Sequence, residues 1–84
     1  MENTVQVLLI YHHSNRRIDL ELELSMTAFE LFTGLNNALG WGVDLQNSRS
    51  CYLSCENPTA LLRGSHTLQE FGLRDGSTLH YIHH

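Results

Sequence analysis

Between Ile18 and Leu24 the chain reads IDLELEL, an unbroken alternation of aliphatic and acidic residues, and after Ser25 and Met26 comes Thr27-Ala28-Phe29-Glu30, which has the spacing of a capping box. A period of two buries one face of a strand and leaves the other in water. A threonine hydroxyl that accepts from the backbone N–H of a glutamate, whose side chain reaches back to the threonine N–H, starts a helix. Strand must therefore yield to helix within a few residues. The helix declares its own buried side, because Ala28, Leu31, Phe32, Leu35, Ala38 and Leu39 recur at helical spacing. Gly40 supplies the stop, and Trp41 is placed to fold back on the last turn. Gly34 costs about 1 kcal/mol relative to alanine in a helix interior, a cost expected to be offset by close approach to a sheet.

The remaining segments read as strands and turns. Val5 to Tyr11, VQVLLIY, is expected to face the core with Val5, Val7, Leu9 and Tyr11, leaving Leu8 and Ile10 on the other side; a register slip of one residue would exchange the two sets. The polar run His12 to Arg17 predicts an antiparallel hairpin with a longer loop. In the second strand Ile18, Leu20, Leu22 and Leu24 point inward and Asp19, Glu21 and Glu23 outward. Gly42 to Arg49 is a loop, and Ser50 to Cys55 a third strand with Cys51, Leu53 and Cys55 on one face and Tyr52 on the other. Asn57-Pro58 fixes a turn, since proline presets φ and restricts its predecessor. Leu61 and Leu62 form a short fourth strand, and Thr67-Leu68-Gln69-Glu70 is a second capping box opening one helical turn that Gly72 closes. Asp75-Gly76 turns into the fifth strand, Ser77 to Ile82, with Leu79 and Tyr81 on one face and His80 and Ile82 on the other.

Two strands, a helix, then three strands is the order of a β-grasp, an α+β fold in which a mixed sheet of about five strands packs on one helix. Parallel pairing of the first and last strands would bring both ends of the chain into the centre of the sheet. Its expected core centre is Leu20, Leu22, Leu31, Phe32, Leu35, Leu53 and Leu79. The face away from the helix stays partly wet.

Composition narrows the chemistry. The 84 residues are expected to form one domain over 1–84, which would bury about two thirds of its unfolded surface. Nine acids stand against five bases, all arginine, giving a net charge of -4; that balance lacks the clustered positive field on which nucleic-acid binding depends. The start Met1-Glu2-Asn3 shows no secretory signal, and no apolar run approaches the roughly 20 residues of a membrane span, so a cytoplasmic protein without membrane insertion is expected. Cys51 and Cys55 would lie about 13 Å apart along a strand, beyond disulfide reach, and read as reduced, packed thiols. His12, His13, His66, His83 and His84 fall in separate segments that do not converge as a metal site would. His83-His84 reads equally as the remnant of a tag. The acids sit mostly on a solvent face, and no serine, cysteine or histidine occupies a catalytic motif, so neither catalysis nor a cofactor is expected. Arg63-Gly64 reads as a solvated turn, with a contact role left open.

IDLELELSMT over Ile18 to Thr27, followed by a helix, resembles the second strand and helix entry of ubiquitin, and TLQEF at Thr67 to Phe71 with STLH at Ser77 to His80 resembles its last turn and strand. The stretch CYLSCENPTALLRGSHTLQEFGLRDGSTL, above all Glu56-Asn57-Pro58 to Gly64, is similar to the bacterial ubiquitin-like proteins of the YukD/EsaB family, which belong to type VII (WXG100) secretion systems. That resemblance implies a noncatalytic, cytoplasmic accessory or regulatory protein acting through contacts with cytoplasmic parts of a secretion machine, or with a second copy of itself. The alternative is a ubiquitin-like modifier or sulfur carrier, chemistry that uses a flexible Gly-Gly tail where this sequence has His83-His84 after a strand. A third is a structural domain detached from a larger subunit. By the same resemblance His80 and Ile82 match positions in ubiquitin's recognition patch. Tyr52, His80 and Ile82, with Leu8 and Ile10 beside them, form the expected protein-binding patch, and a histidine within it would weaken binding on acidification.

Overall fold

A computed structural model describes residues 3–12, 15–47, 49 and 51–81. The elements are β1 (Thr4–Tyr11), β2 (Arg16–Glu23), α1 (Ala28–Leu39), β3 (Leu53–Glu56), β4 (Ala60–Leu62), α2 (Leu68–Phe71) and β5 (Thr78–Tyr81). The sheet order is β2-β1-β5-β3-β4. β1 pairs parallel with β5, and every other pairing is antiparallel. This is the α+β, ubiquitin-like β-grasp that the element order implies.

The register of β1 is the expected one. Val5, Val7 and Leu9 are buried while Leu8 and Ile10 are half-buried on the opposite face. Val7 lies opposite Leu20 on β2, and Leu9 lies opposite both Ile18 on β2 and Leu79 on β5. From β3 and β4 come Leu53, Cys55 and Leu62, and from α1 come Ala28, Leu31, Phe32 and Leu35, all buried.

Four details depart from expectation. Leu20 is only half-buried and lies outside the core centre, because β2 is an edge strand with β1 as its single neighbour. Ala38 is exposed, and Asn36 takes a buried place on the helix instead. Gly34 makes no close approach: it is exposed, and a Cβ added there would meet nothing within 4 Å. β3 begins at Leu53 rather than at Ser50, which lies outside the described residues. Cys51 Sγ reaches the carbonyls of Asp44 (3.6 Å) and Asn47 (3.3 Å), drawing the chain before β3 toward the loop after α1 and off the ladder.

Both capping boxes form. Their N-cap residues, Thr27 and Thr67, face each other in an antiparallel bridge, so each helix start caps the other. Ala28 and Phe29 donate to the carbonyls of His66 and Gly64, both at 3.0 Å, while Leu68 and Gln69 donate to those of Met26 (2.8 Å) and Leu24 (3.0 Å). The N–H groups that a helix start normally leaves unpaired are thereby used inside the fold. At its other end α1 closes on Gly40 in the left-handed conformation, φ 67°. Trp41 turns back as expected, its ring 5.7 Å from Phe32 and stacked on Tyr81 at 3.8 Å.

Candidate functional site

Alternation along each strand decides what the helix-free face presents. The residues that pair across the sheet beside the buried ones form a row: Arg17 on β2, Ile10 on β1, His80 on β5, Ser54 on β3 and Leu61 on β4. A second row holds Asp19, Leu8, Thr78 and Glu56. Of the expected patch, Ile10 and His80 are thus direct cross-strand partners, and Leu8 stands one position along, beside Thr78. Tyr52 is half-exposed but precedes β3, off the ladder. Ile82 lies outside the described residues.

His80 is the fixed point of this face. Its Nδ1 lies 2.7 Å from Nε2 of His12, and the rings tilt against each other at 5.0 Å. Its Nε2 faces Glu56 Oε1 at 3.3 Å, within ion-pairing distance but not aligned as a hydrogen bond. The imidazole is 16 % exposed and the Glu56 side chain 71 %, so the ring is held in place while its carboxylate neighbour remains in solvent. The sequence places His12 in a loop, in a segment separate from β5. Parallel β1–β5 pairing carries it to His80, which no local motif announces.

Leu61 is the residue that strand alternation could have revealed. With Leu62 buried at 1 %, its neighbour must point outward, and Leu61 is 44 % exposed at the β4 edge of the Ile10–His80 row. It also lines an open cleft of about 570 Å³ with Arg49, Arg63, Gly64, Ser65, His66 and Phe71.

The two thiols are free and buried. Burial, and then the charge of Glu56, push the Cys55 thiol up to about 11, against a smaller opposing pull from Arg74. Burial likewise raises Cys51, with Asp44 adding to it. Burial thus disfavours the thiolate, the form in which a cysteine acts as a nucleophile, at both positions. Among the described residues no group of three or more His, Cys, Asp or Glu side chains is arranged to hold a metal ion, and no helix is long and apolar enough to cross a membrane.

Solved structures of low sequence identity share this fold. The ubiquitin-like domain of tubulin-binding cofactor B superimposes with a TM-score of 0.76 at 16% identity, covering 95% of this chain and 89% of that one. The C-terminal ubiquitin-like domain of mouse tubulin-specific chaperone e gives 0.72 at 15% identity, covering 99% and 91%. The UBL domain of Plasmodium falciparum Dsk2 gives 0.65 at 14%, covering 92% and 93%. No curated protein matches the sequence. Residues 4–80 match the family described as WXG100 protein secretion system (Wss), protein YukD, and the chain accordingly belongs to the YukD family of ubiquitin-like proteins.

Proposed function

We propose that this protein is a noncatalytic, cytoplasmic accessory component of a WXG100 secretion system, and that it docks protein partners on the helix-free face of its sheet. The observation that carries the reading is the row Ile10, His80, Ser54 and Leu61, which runs across four adjacent strands and mixes apolar side chains with a positioned histidine. Such a row is rigid because every member sits on a strand, and rigidity lowers the entropy cost of binding. His80 has its Nδ1 engaged by His12 and its Nε2 facing the Glu56 carboxylate, an arrangement that fixes the ring within the row. The 2.7 Å contact needs one protonated and one bare nitrogen.

The test is binding of purified cytoplasmic domains of the secretion machinery, and of the protein to itself, by the Ile10→Ser, Leu61→Ser and Tyr52→Ala variants, each first shown to fold by circular dichroism. The expected result is at least a tenfold loss for Ile10→Ser or Leu61→Ser with one such partner, about what removing a well-buried interface side chain costs. Parental affinity of all three variants for every partner would overturn the reading.

A further inference from the structure

The cleft beside β4 differs in character from the sheet face. It is lined by Arg49, Arg63, Ser65, His66 and Gly64 together with Leu61 and Phe71. Two of the five basic residues of an otherwise acidic chain thus meet at one concavity, and none of its lining residues is acidic. Across the sheet the opposite edge, β2, carries Asp19, Glu21 and Glu23 beyond Arg16 and Arg17. The cleft is therefore a local basic site on an acidic protein, with an apolar floor supplied by one exposed leucine and one half-buried phenylalanine.

It is also built on fixed backbone. The Gly64 and His66 carbonyls receive the first two N–H groups of α1. The His66 ring is held from two sides, Nδ1 lying 3.1 Å from Glu70 Oε2 and the ring meeting Phe71 edge-on at 6.2 Å. Glu70, the carboxylate that meets His66, is itself committed to its capping box. The Thr67 N–H first, and then His66, hold its carboxyl below the usual carboxylate range, so it stays ionised with Oε1 engaged by Thr67 and Oε2 by His66.

We infer that this cleft binds an acidic peptide segment of a protein partner, one in which carboxylates flank a large apolar side chain. The apolar side chain lies on Leu61 and Phe71, and the carboxylates take charge-assisted, fork-shaped hydrogen bonds from Arg49 and Arg63. Charge complementarity chooses this occupant: on a chain of net charge -4, the cleft is lined by two arginines and no carboxylate. This surface is separate from the Ile10–His80 row, touching it only through Leu61, and the inference stands if that row binds nothing.

The experiment is fluorescence anisotropy of the intact protein with a short fluorescein-labelled peptide of glutamates flanking a Leu-Phe pair, beside the same peptide with glutamine in place of each glutamate. The expected result is saturable, salt-sensitive binding of the glutamate peptide alone, weakened about tenfold or more by Arg63→Gln and by Arg49→Gln. Arg63→Lys should recover only part of that loss, since lysine offers a point charge rather than a fork. Ile10→Ser should leave the affinity unchanged, which separates this site from the sheet face. Equal binding of the two peptides, parental affinity of both glutamine variants, or no binding up to about 1 mM would each overturn the inference. So would tighter competition by a single-stranded oligonucleotide, or by a second copy of the chain in sedimentation, which would assign the cleft to nucleic acid or to self-assembly.

Discussion

Asn36 is a polar side chain buried on the sheet-facing side of α1, at 7 % exposure, and its role follows from two hydrogen bonds. Its Nδ2 donates to the Val43 carbonyl at 3.0 Å and its Oδ1 accepts from the Val43 N–H at 2.9 Å. The side chain thus stands in for a strand partner and ties the loop after α1 to the helix, while the Asn36 carbonyl accepts from Gly40 and Trp41. Asn36→Ala removes both side-chain bonds. At about 1 kcal/mol each that is a loss of about 2 kcal/mol, against which alanine returns about 0.6 kcal/mol of helix propensity. The net cost is about 1 to 2 kcal/mol, and at about 4–8 °C per kcal/mol for a domain of this size the melting temperature should fall by about 5–15 °C. Trp41 is the single tryptophan, so its emission reports the same loop and should shift to the red. Asn36→Asp keeps the acceptor for Val43 N–H but turns a carboxylate toward the Val43 carbonyl, and should be at least as damaging at neutral pH. A melt for Asn36→Ala within about 0.5 kcal/mol of the parent, with unchanged Trp41 emission, would refute the clamp.

Leu22→Ala should cost about 2–5 kcal/mol in a urea melt and Leu20→Ala clearly less, because Leu22 is buried and Leu20 half-buried on the same edge strand; equal costs would contradict the packing described for β2. Ser77 is fully buried, donating to the Asn57 carbonyl at 2.6 Å and accepting from the Arg74 N–H at 3.1 Å. Ser77→Ala should therefore cost about 1–3 kcal/mol by leaving both partners unpaired, and a neutral variant would show that water replaces the hydroxyl. Cys55, raised to about 11, binds its proton more tightly in the folded than in the unfolded chain. Its contribution is fully present below the ordinary thiol range, and stability should fall as pH rises from about 9 through 11. In the native protein at pH 8 a disulfide reagent should react with Cys55 only as fast as the chain opens, and immediate labelling would exclude this burial.

Local chemistry makes most of the fold legible in the sequence. The capping boxes at Thr27 and Thr67, the stop at Gly40 and the β1 register each follow from a few adjacent residues. What escaped depends on partners distant in sequence. Leu20 looks like core from the alternation of β2, and only the sheet order makes it an edge residue. Asn36 interrupts an apolar stripe, and nothing in the helix reveals that Val43 completes it. The candidate site divides similarly. Ile10 and His80 came from alternation, whereas the approach of His12 to His80 and the place of both Arg49 and Arg63 on one cleft require the strand pairings and loop positions to be known.

The interior place of β1, between β2 and β5, has a consequence for the order in which the chain is made. β1 and β2 are synthesised first and can close as a hairpin at once, but the other edge of β1 waits for β5, where Leu9 meets Leu79 and Tyr11 meets Tyr81. Until then a strand apolar on both faces, VQVLLIY, exposes open backbone to any neighbouring chain, the condition that invites misassembly. Completion by such a distant pairing also places folding among the slower topologies for small domains. A ribosome that pauses after β4 therefore holds a nascent chain whose most adhesive segment was made well before its partner, and release of β5 is the moment at which that hazard ends.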